Sequence, residues 1–280
     1  MVTIGIFGRE YRFCRSVKAS YSDRHNRAVK LAERFESLSE KFDGMFSRGG
    51  CGETLNSRLA LACKMMMYTG IRIGNEGSAE GYMTKPHPNS KEQPQFVQTY
   101  GLTTLLPQHM SIRRGKVYLN FLGKKHVDNS FVLDGKLAGQ VRDMSGYISE
   151  GETLFEITSY ELTKFIKKYV GRQFTPKDFR TMRANMYAWE KFEEICEREL
   201  PSTKTEYNGE VKEIATYVSE KLNNTPGVCK KSYIDELLWD EFSDARPVTK
   251  RNKKWINEKL SNGCCVAQGS RTSISLLTNG

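Results

Sequence analysis

The amino-acid sequence predicts an α+β fold that is mainly helical and contains a small β-hairpin or sheet. Several segments place apolar residues at alternating steps of three and four, which is the spacing of amphipathic helices. One segment, residues 109–133, instead alternates apolar and polar residues, as strands joined by tight turns do. The chain has 280 residues, which is enough for one large domain with a sizeable core.

The first helix is predicted in the N-terminal part of the chain. It should be entered at Ser22 or Asp23 and left near Gly49 and Gly50. Its apolar stripe is formed by Ala28, Leu31, Phe35, Leu38, Phe42 and Met45. Because this stripe follows the helical period, we interpret the segment as a plain core helix.

A second helix is predicted over residues 54–68. Apolar side chains leave it almost no polar face, so it should be buried. Gly70 can supply its C-terminal cap. Arg72 should therefore emerge directly after a buried helix.

The strand pattern of residues 109–133 contains two alternating runs separated by a turn at Arg114 and Gly115. The second run ends before Gly123. Lys124 is therefore expected at a strand end or at a hairpin tip.

Two later helices carry clear start signals. Thr158 and Glu161 have the spacing of a capping box, and Thr175 followed by Pro176 is an N-cap with proline at the first helical position. Arg180 should lie in the first turns of the helix that begins at Pro176.

The last predicted helices surround a proline. An apolar stripe at Val211, Ile214, Val218 and Leu222 marks a helix that should stop by Pro226, because the residue before proline is driven out of the helical region. Tyr233 follows, and we predict it on a short last helix together with Leu237 and Leu238.

The composition favours a polyanionic partner. Lys and Arg number 43 against 33 Asp and Glu, a formal charge of +10, which suits nucleic acid or an acidic membrane surface. No apolar run approaches the ~18 residues of a membrane span, and no signal peptide is evident. We therefore expect a soluble, intracellular protein with no membrane partner.

The cysteines and histidines indicate no metal site. Seven cysteines occur without a C-x-x-C pair, and the four histidines lack ligand spacing. We read the cysteines as reduced thiols. No phosphate-binding P-loop is present either, so we expect neither a metal nor another cofactor.

We divide the chain into three parts. Residues 1–50 form a short N-terminal segment with a lead-in helix, and residues 51–245 form the main domain. Residues 246–280 form a basic tail, rich in Ser, Gly and Asn at its end, which we expect to be partly disordered or loosely packed.

Five segments in this order resemble the motifs of type IB DNA topoisomerases, closest to the compact poxvirus, giant-virus and bacterial branch. They are TGIRIGNE at 69–76, YGLTTL at 100–105, FLGK at 121–124, KDFRT at 177–181, and NTP to KKSY at 224–233. The resemblance covers roughly residues 55–240 and makes residues 51–245 a catalytic domain. It implies a mainly helical catalytic fold, duplex DNA as the partner, and a monomer that acts as a clamp. A family N-terminal β-domain is expected to be largely or wholly missing.

The resemblance implies a role for each of five residues. Tyr233 is the nucleophile, Arg72 and Arg180 bind the phosphate, Lys124 is the general acid, and Asn224 donates a hydrogen bond to the phosphate. The chemistry agrees, because a phenol with a pKa of about 10 needs nearby cations to attack phosphorus. Guanidiniums suit the growing charge on the phosphate oxygens since they stay protonated and donate in a rigid fork.

Further residues are candidates for binding DNA: Tyr100, Thr103, Lys125, Lys177, Lys230 and Lys231. Tyr100 and Thr103 could equally begin a strand. Lys125 is also the alternate to Lys124 as the acid.

One residue departs from the family pattern. Most relatives have histidine before Thr-Pro, whereas this chain has Asn224, and no histidine follows His126. An amide can still donate a hydrogen bond to phosphate, but it adds no positive charge near pH 7. We expect an active enzyme with a weaker contact at this position.

The function predicted from the sequence is relaxation of supercoiled duplex DNA without ATP or metal. One strand is cleaved through a 3′-phosphotyrosyl intermediate, rotates and is religated. Two alternatives remain open: a tyrosine recombinase or integrase, which usually has His-x-x-Arg where this chain has Lys177 to Arg180, and a non-catalytic basic DNA-binding relative.

Overall fold

The computed structural model of the protein describes residues 2–13, 22–85, 93–149 and 151–248. Within these ranges helices dominate, and three small antiparallel sheets accompany them. The predicted α+β, mainly helical class is confirmed. None of the described helices combines the length and apolar character that a membrane span requires.

The chain begins with a hairpin that the sequence analysis did not specify. Strands β1 (Val2–Ile6) and β2 (Arg9–Phe13) pair antiparallel, with Ile4 opposite Tyr11. Both of those side chains are buried. Among the described residues, the N-terminal strands form a single two-stranded hairpin.

The predicted lead-in helix is two helices, α1 (Ser22–Ala32) and α2 (Phe35–Arg48). The break falls at Arg34, whose backbone is non-helical (φ −108°, ψ 10°). Its guanidinium donates a hydrogen bond of 2.7 Å to the carbonyl of Val170. The apolar stripe of the sequence continues across the break. Its periodicity therefore could not reveal the break, which coincides with the contact between Arg34 and the distant Val170.

Helix α3 (Leu55–Thr69) is the buried second helix, as predicted. The hydroxyl of Thr54 accepts from the N–H of Ser57 at its start, and Gly70 ends it in the left-handed conformation (φ 66°). Every residue from Leu59 to Met67 is buried. The helix contacts α2 and three later helices, so it fixes the start of the Arg72 loop within the core.

A short helix and a small hairpin follow the Arg72 loop: α4 (Glu76–Glu80), β3 (Tyr82–Met83) and β4 (Phe96–Val97). Two 3₁₀ turns, Leu102–Thr104 and Pro107–His109, lead into the largest sheet. That sheet has the order β5 (Met110–Arg113), β6 (Lys116–Gly123) and β7 (Val127–Leu133).

The strands of this sheet confirm the alternating pattern of the sequence. On β6 the side chains of Val117, Leu119 and Phe121 are buried. Gly123 pairs with Val127, so Lys124 lies in the tight β6–β7 turn, as predicted. Lys125 and His126 have φ angles of 64° and 57°, the left-handed conformation typical of such turns.

The remaining helices are α5 (Gly135–Ser145), α6 (Ser159–Tyr169), α7 (Pro176–Cys196), α8 (Lys204–Lys221), α9 (Pro226–Ser232) and α10 (Glu236–Ala245). The capping box of Thr158 and Glu161 starts α6, and Pro176 opens α7, both as predicted. Helix α5 was not foreseen. Helix α7 lies at the centre and contacts α1, α3, α8 and β2.

Tyr233 is not on the last helix, contrary to our prediction. It follows the end of α9, with φ −127° and ψ −41°, and α10 begins only at Glu236. Pro226, whose fixed φ suits a first helical turn, starts α9, which ends at Ser232, and Asp235 caps a separate helix that contains Leu237 and Leu238. The chain between the two helices presents Tyr233.

The described structure packs beyond α10. Arg246 is 1% exposed, and its guanidinium donates to the carboxylate of Glu210 (2.5 Å) and to the carbonyl of Arg198 (2.6 Å). Val248 is also buried. The rest of the predicted tail, residues 249–280, lies outside the described residues.

Candidate active site

The loop that carries Arg72 is held by main-chain hydrogen bonds from the segment after Tyr100. The N–H of Leu102 donates to the carbonyl of Arg72 (2.8 Å), and the N–H of Thr103 donates to that of Ile73 (2.7 Å). The two segments approach so closely that a Cβ atom on Gly101 would lie 2.5 Å from the Cα of Gly74. Glycine is therefore needed at position 101 for this contact.

Side chains also hold the far end of the Arg72 loop. Asn75 caps α4 by accepting from the N–H of Ser78 (3.0 Å). Glu76 accepts from the N–H (2.7 Å) and the hydroxyl (2.9 Å) of Ser159 at the start of α6. These donors hold the pKa of Glu76 below its usual value against the opposing effect of burial. The loop is thus fixed to both neighbouring helices.

Two guanidiniums converge on the turn between α8 and α9. Arg180, 3% exposed, donates to the carbonyls of Gly70 (2.7 Å) and Leu222 (2.5 Å). Arg72 donates to the carbonyl of Asn223 (3.3 Å), whose backbone is left-handed (φ 48°). Main-chain carbonyls therefore orient both arginines.

The charges of these arginines are not neutralised. No carboxylate of the described residues forms an ion pair with Arg72 or Arg180. Burial, together with the nearby charge of Arg72, lowers the pKa of Arg180 to about 10, while Tyr233 opposes the shift. Burial also lowers the pKa of Arg72. Both remain cations at pH 7, and two partly desolvated cations without a carboxylate favour binding of an anion.

Tyr233 lies directly beside Arg180. Its side chain is 9% exposed, with the Arg180 guanidinium 5.3 Å from the ring centre and the Lys177 ammonium 5.8 Å from it. The main chain around it is held by Asn185, whose amide donates to the Tyr233 carbonyl (3.0 Å) and accepts from the N–H of Asp235 (2.9 Å). The phenol is thus held against two cations.

These groups line one open pocket of about 660 Å³. Its walls include the sequence-predicted residues Arg72, Tyr100, Lys124, Lys125, Lys177, Arg180 and Tyr233. The fold therefore joins residues that are up to 161 positions apart, from Arg72 to Tyr233. A buried phenol, one buried and one half-buried guanidinium, and exposed lysines in one pocket are suited to transfer of a phosphoryl group to tyrosine.

Comparison with known proteins identifies the family. The family model described as "Eukaryotic DNA topoisomerase I, catalytic core" matches residues 16–260. The chain belongs to the DNA topoisomerase I family. It is also 29% identical, over 152 residues, to the DNA topoisomerase 1B of Acanthamoeba polyphaga mimivirus. That match covers 49% of this chain and 45% of the viral protein, so it spans less than half of the relative.

Four of the residues singled out from the sequence do not line the pocket of this topoisomerase I family member. They are Thr103, Asn224, Lys230 and Lys231. Thr103 is 2% exposed, and its hydroxyl donates to the Ile73 carbonyl (2.9 Å). Thr103 thus holds the Arg72 loop in this structure, and its contact with DNA stays a prediction.

Lys230 and Lys231 lie exposed on α9. The Lys230 ammonium lies 5.6 Å from the ring centre of Trp239. Asn224 directly follows the residue that binds Arg72. Its side-chain Nδ2 is buried and has no hydrogen-bond partner within the described structure, so its amide is available to a ligand that reaches it.

The sequence analysis missed three residues of this topoisomerase I site. Asn185 lies on α7, whose sequence pattern is mainly apolar. The only signal for it was that a polar residue occurs five positions after Arg180. Tyr82 and His126 line the pocket, with the Tyr82 hydroxyl 3.2 Å from His126 Nε2. No pattern in the sequence joins those two residues, because they lie on separate hairpins.

Proposed function

We propose that this protein relaxes supercoiled duplex DNA as a type IB topoisomerase. It acts as a monomeric clamp on DNA and uses neither ATP nor a metal ion. The observation that carries the proposal is the placement of the buried Tyr233 ring against Arg180, within one pocket that Arg72 and Lys124 also line. This set contains a nucleophile, two phosphate-binding cations and a proton donor.

In the proposed cleavage step, the Tyr233 oxygen forms a bond to phosphorus and the bond from phosphorus to the 5′ oxygen breaks. The phenolic proton passes to water, and Arg180 and Lys177 lie beside the ring whose oxygen attacks. The product is a 3′-phosphotyrosine and a free 5′ hydroxyl. The energy of the phosphodiester is kept in that bond, so religation needs no ATP.

Arg72 and Arg180 stabilise the charge that develops on the non-bridging oxygens. Their guanidiniums are already oriented by the carbonyls of Gly70, Leu222 and Asn223. Preorganised donors of this kind need no reorganisation when charge appears, and each is worth about 10²- to 10³-fold in rate. Rotation of the free 5′ end and attack of its hydroxyl on the phosphotyrosine then restore the strand.

Lys124 supplies the proton for the 5′ oxygen. It is exposed on the β6–β7 turn and lines the pocket, so its ammonium is accessible to a bound DNA strand. We expect Lys124→Ala to slow cleavage by about 10²- to 10⁴-fold on ordinary DNA, the usual contribution of a general acid. A substrate with sulfur in place of the 5′ oxygen should restore most of the rate, because a thiolate leaves without protonation.

Lys125→Ala is the matched comparison for this experiment. It removes the same charge from the same turn, and we expect weaker DNA binding without rescue by sulfur. Rescue of Lys125→Ala, with no rescue of Lys124→Ala, would assign the acid to Lys125.

Asn224 donates a hydrogen bond to the phosphate through its buried, unpartnered Nδ2. We expect Asn224→His to maintain or raise the single-turnover cleavage rate, because a ring N–H can replace the amide donor and can also carry charge. Asn224→Leu, which has the same branching but no donor, should lower the rate. A large loss in Asn224→His together with an unchanged Asn224→Leu would show that residue 224 does not contact the phosphate.

The proposal is tested by relaxation of positively and negatively supercoiled plasmid in EDTA without ATP. A topoisomerase should relax both signs on DNA that lacks paired recognition sites. A recombinase would leave such plasmid supercoiled, since it needs two bound sites. DNA binding without relaxation and without any covalent complex would instead indicate a non-catalytic relative.

A further inference from the structure

Helix α1 contacts the start of α7 through an ion pair between the half-buried Arg27 and the buried Asp178. The Nε of Arg27 donates to one carboxylate oxygen of Asp178 (3.0 Å), and Asp178 is 1% exposed. The other oxygen of Asp178 accepts from the N–H and the hydroxyl of Thr175 (2.8 Å each). Asp178 follows Lys177 and precedes Arg180 by two residues, so Arg27 is joined to the turn that carries two of the cations around Tyr233.

The same helix also reaches the segment that carries Tyr233. His25 Nδ1 lies 3.4 Å from a carboxylate oxygen of Asp235, and the two residues are 3% and 5% exposed. Asp235 follows Tyr233 by two residues. Its carboxylate accepts from the N–H of Leu237 (3.1 Å) and thereby caps α10.

His25 lies between a cation and a carboxylate. The Nη2 of Arg24 lies 3.5 Å from His25 Nε2, and His25 Nδ1 faces the Asp235 carboxylate on the other side without a hydrogen bond between the two groups. Burial lowers the pKa of His25 to about 4 and raises that of Asp235 to about 6. Near pH 7 a neutral ring therefore faces a carboxylate.

From these contacts we infer that α1 positions the nucleophile relative to the phosphate-binding arginine, with His25 and Arg27 as positioning residues for strand cleavage. This inference rests on the proposed function. Through Asp178 the helix holds the turn of Lys177 and Arg180, and through Asp235 it holds the segment of Tyr233. Neither residue lies in the motif-bearing region, residues 55–240, so motif comparison does not reveal them.

The size of the effect follows from the geometry that catalysis needs. A displacement of ~1 Å in a reacting group can lower a rate by about 10²-fold. Binding of DNA depends instead on many phosphate contacts, and neither His25 nor Arg27 lines the pocket. Loss of the two polar contacts should therefore lower the cleavage rate and leave the affinity for DNA nearly unchanged, whereas a merely structural pair would affect thermal stability alone.

The experiment compares two pairs of substitutions in the full chain. His25→Leu and Arg27→Met remove the polar contacts, while His25→Asn keeps a donor near the Nδ1 position and Arg27→Lys keeps the charge. Lys30→Ala removes an exposed charge from the same helix and serves as the control. The measurements are the single-turnover rate of covalent-complex formation at saturating protein, the Kd for a duplex fragment, and Tm.

We expect about tenfold or greater rate losses in His25→Leu and in Arg27→Met, with Kd within about twofold of wild type. The conservative variants should recover to within about threefold, and Lys30→Ala should match wild type. Wild-type rates in His25→Leu and Arg27→Met would overturn the inference, as would rate losses that the conservative variants do not repair although their Tm is that of wild type. If one of these two variants does not fold, the other decides. A wild-type chain that forms no covalent complex would refute the proposed function itself, so the two failures are distinguishable.

Discussion

Tyr233→Phe is expected to abolish the covalent protein–DNA complex and plasmid relaxation, with a loss in cleavage rate on the order of 10⁴-fold or more, as removal of a nucleophile produces. The substitution removes only the phenolic oxygen. The ring can keep its place beside Arg180 and Lys177, and the contacts with Asn185 involve the main chain. Folding and DNA binding should therefore persist.

The measurement is a cleavage reaction on intact and on nicked duplex DNA. The reaction is quenched with denaturant, and its products are separated on a denaturing gel. Protein attached to a 3′ DNA end is the signal. Tyr187→Phe is the matched control, since Tyr187 also lies under an arginine, Arg183, at 4.3 Å on helix α7. Equal complex formation by Tyr233→Phe and wild type would exclude Tyr233 as the nucleophile.

Local signals in the sequence were sufficient to predict the helix that precedes the Arg72 loop and the turn that contains Lys124. Thr54 and Gly70 define the buried helix before Arg72, and the β6–β7 turn contains Lys124 as predicted. Such features depend on nearby residues, through caps, turn conformations and periodicity, so they can be recognised without knowledge of the tertiary structure.

Features that depend on distant contacts could not be predicted in this way. The break between α1 and α2 occurs where Arg34 reaches Val170, 136 positions away. Thr103 is committed to Ile73, and Tyr233 is held by Asn185, 48 positions earlier. In each case the decisive partner lies on another element, and the spacing of residues in the chain carries no record of it.

The site combines charge and burial in an unusual balance. Other cations of the described chain form ion pairs with carboxylates, as Lys191 does with Glu213 (2.8 Å). Arg72 and Arg180 have main-chain carbonyls as their acceptors instead. A carbonyl orients a guanidinium without cancelling its charge, so the full positive charge remains available to a phosphate.

This arrangement makes Arg180 the second position at which we expect a large effect. Arg180→Ala should lower the cleavage rate by about 10²- to 10³-fold. It also leaves the carbonyls of Gly70 and Leu222 without their donor, which costs about 1–3 kcal/mol for each group that stays buried and unsatisfied. The variant should therefore lose Tm as well as activity. Arg183→Lys, one turn later on α7, is the control for a conservative change on the same helix.

Arg180→Lys separates charge from geometry. A lysine has a single ammonium and cannot donate to both carbonyls and the phosphate in the planar arrangement of a guanidinium, so it should recover only part of the rate. Burial disfavours the charged form of the new lysine and should lower its pKa from the usual value of about 10.4. This decrease should be larger than the decrease at Arg180, because an ammonium is more strongly hydrated than a guanidinium. Its charge is then lost as pH rises through the lowered pKa, whereas the guanidinium stays protonated. The rate of Arg180→Lys relative to wild type should fall between pH 7 and pH 9, as measured by single-turnover cleavage. A ratio that stays constant over this range would show that the lysine remains charged and that the loss is due to geometry alone.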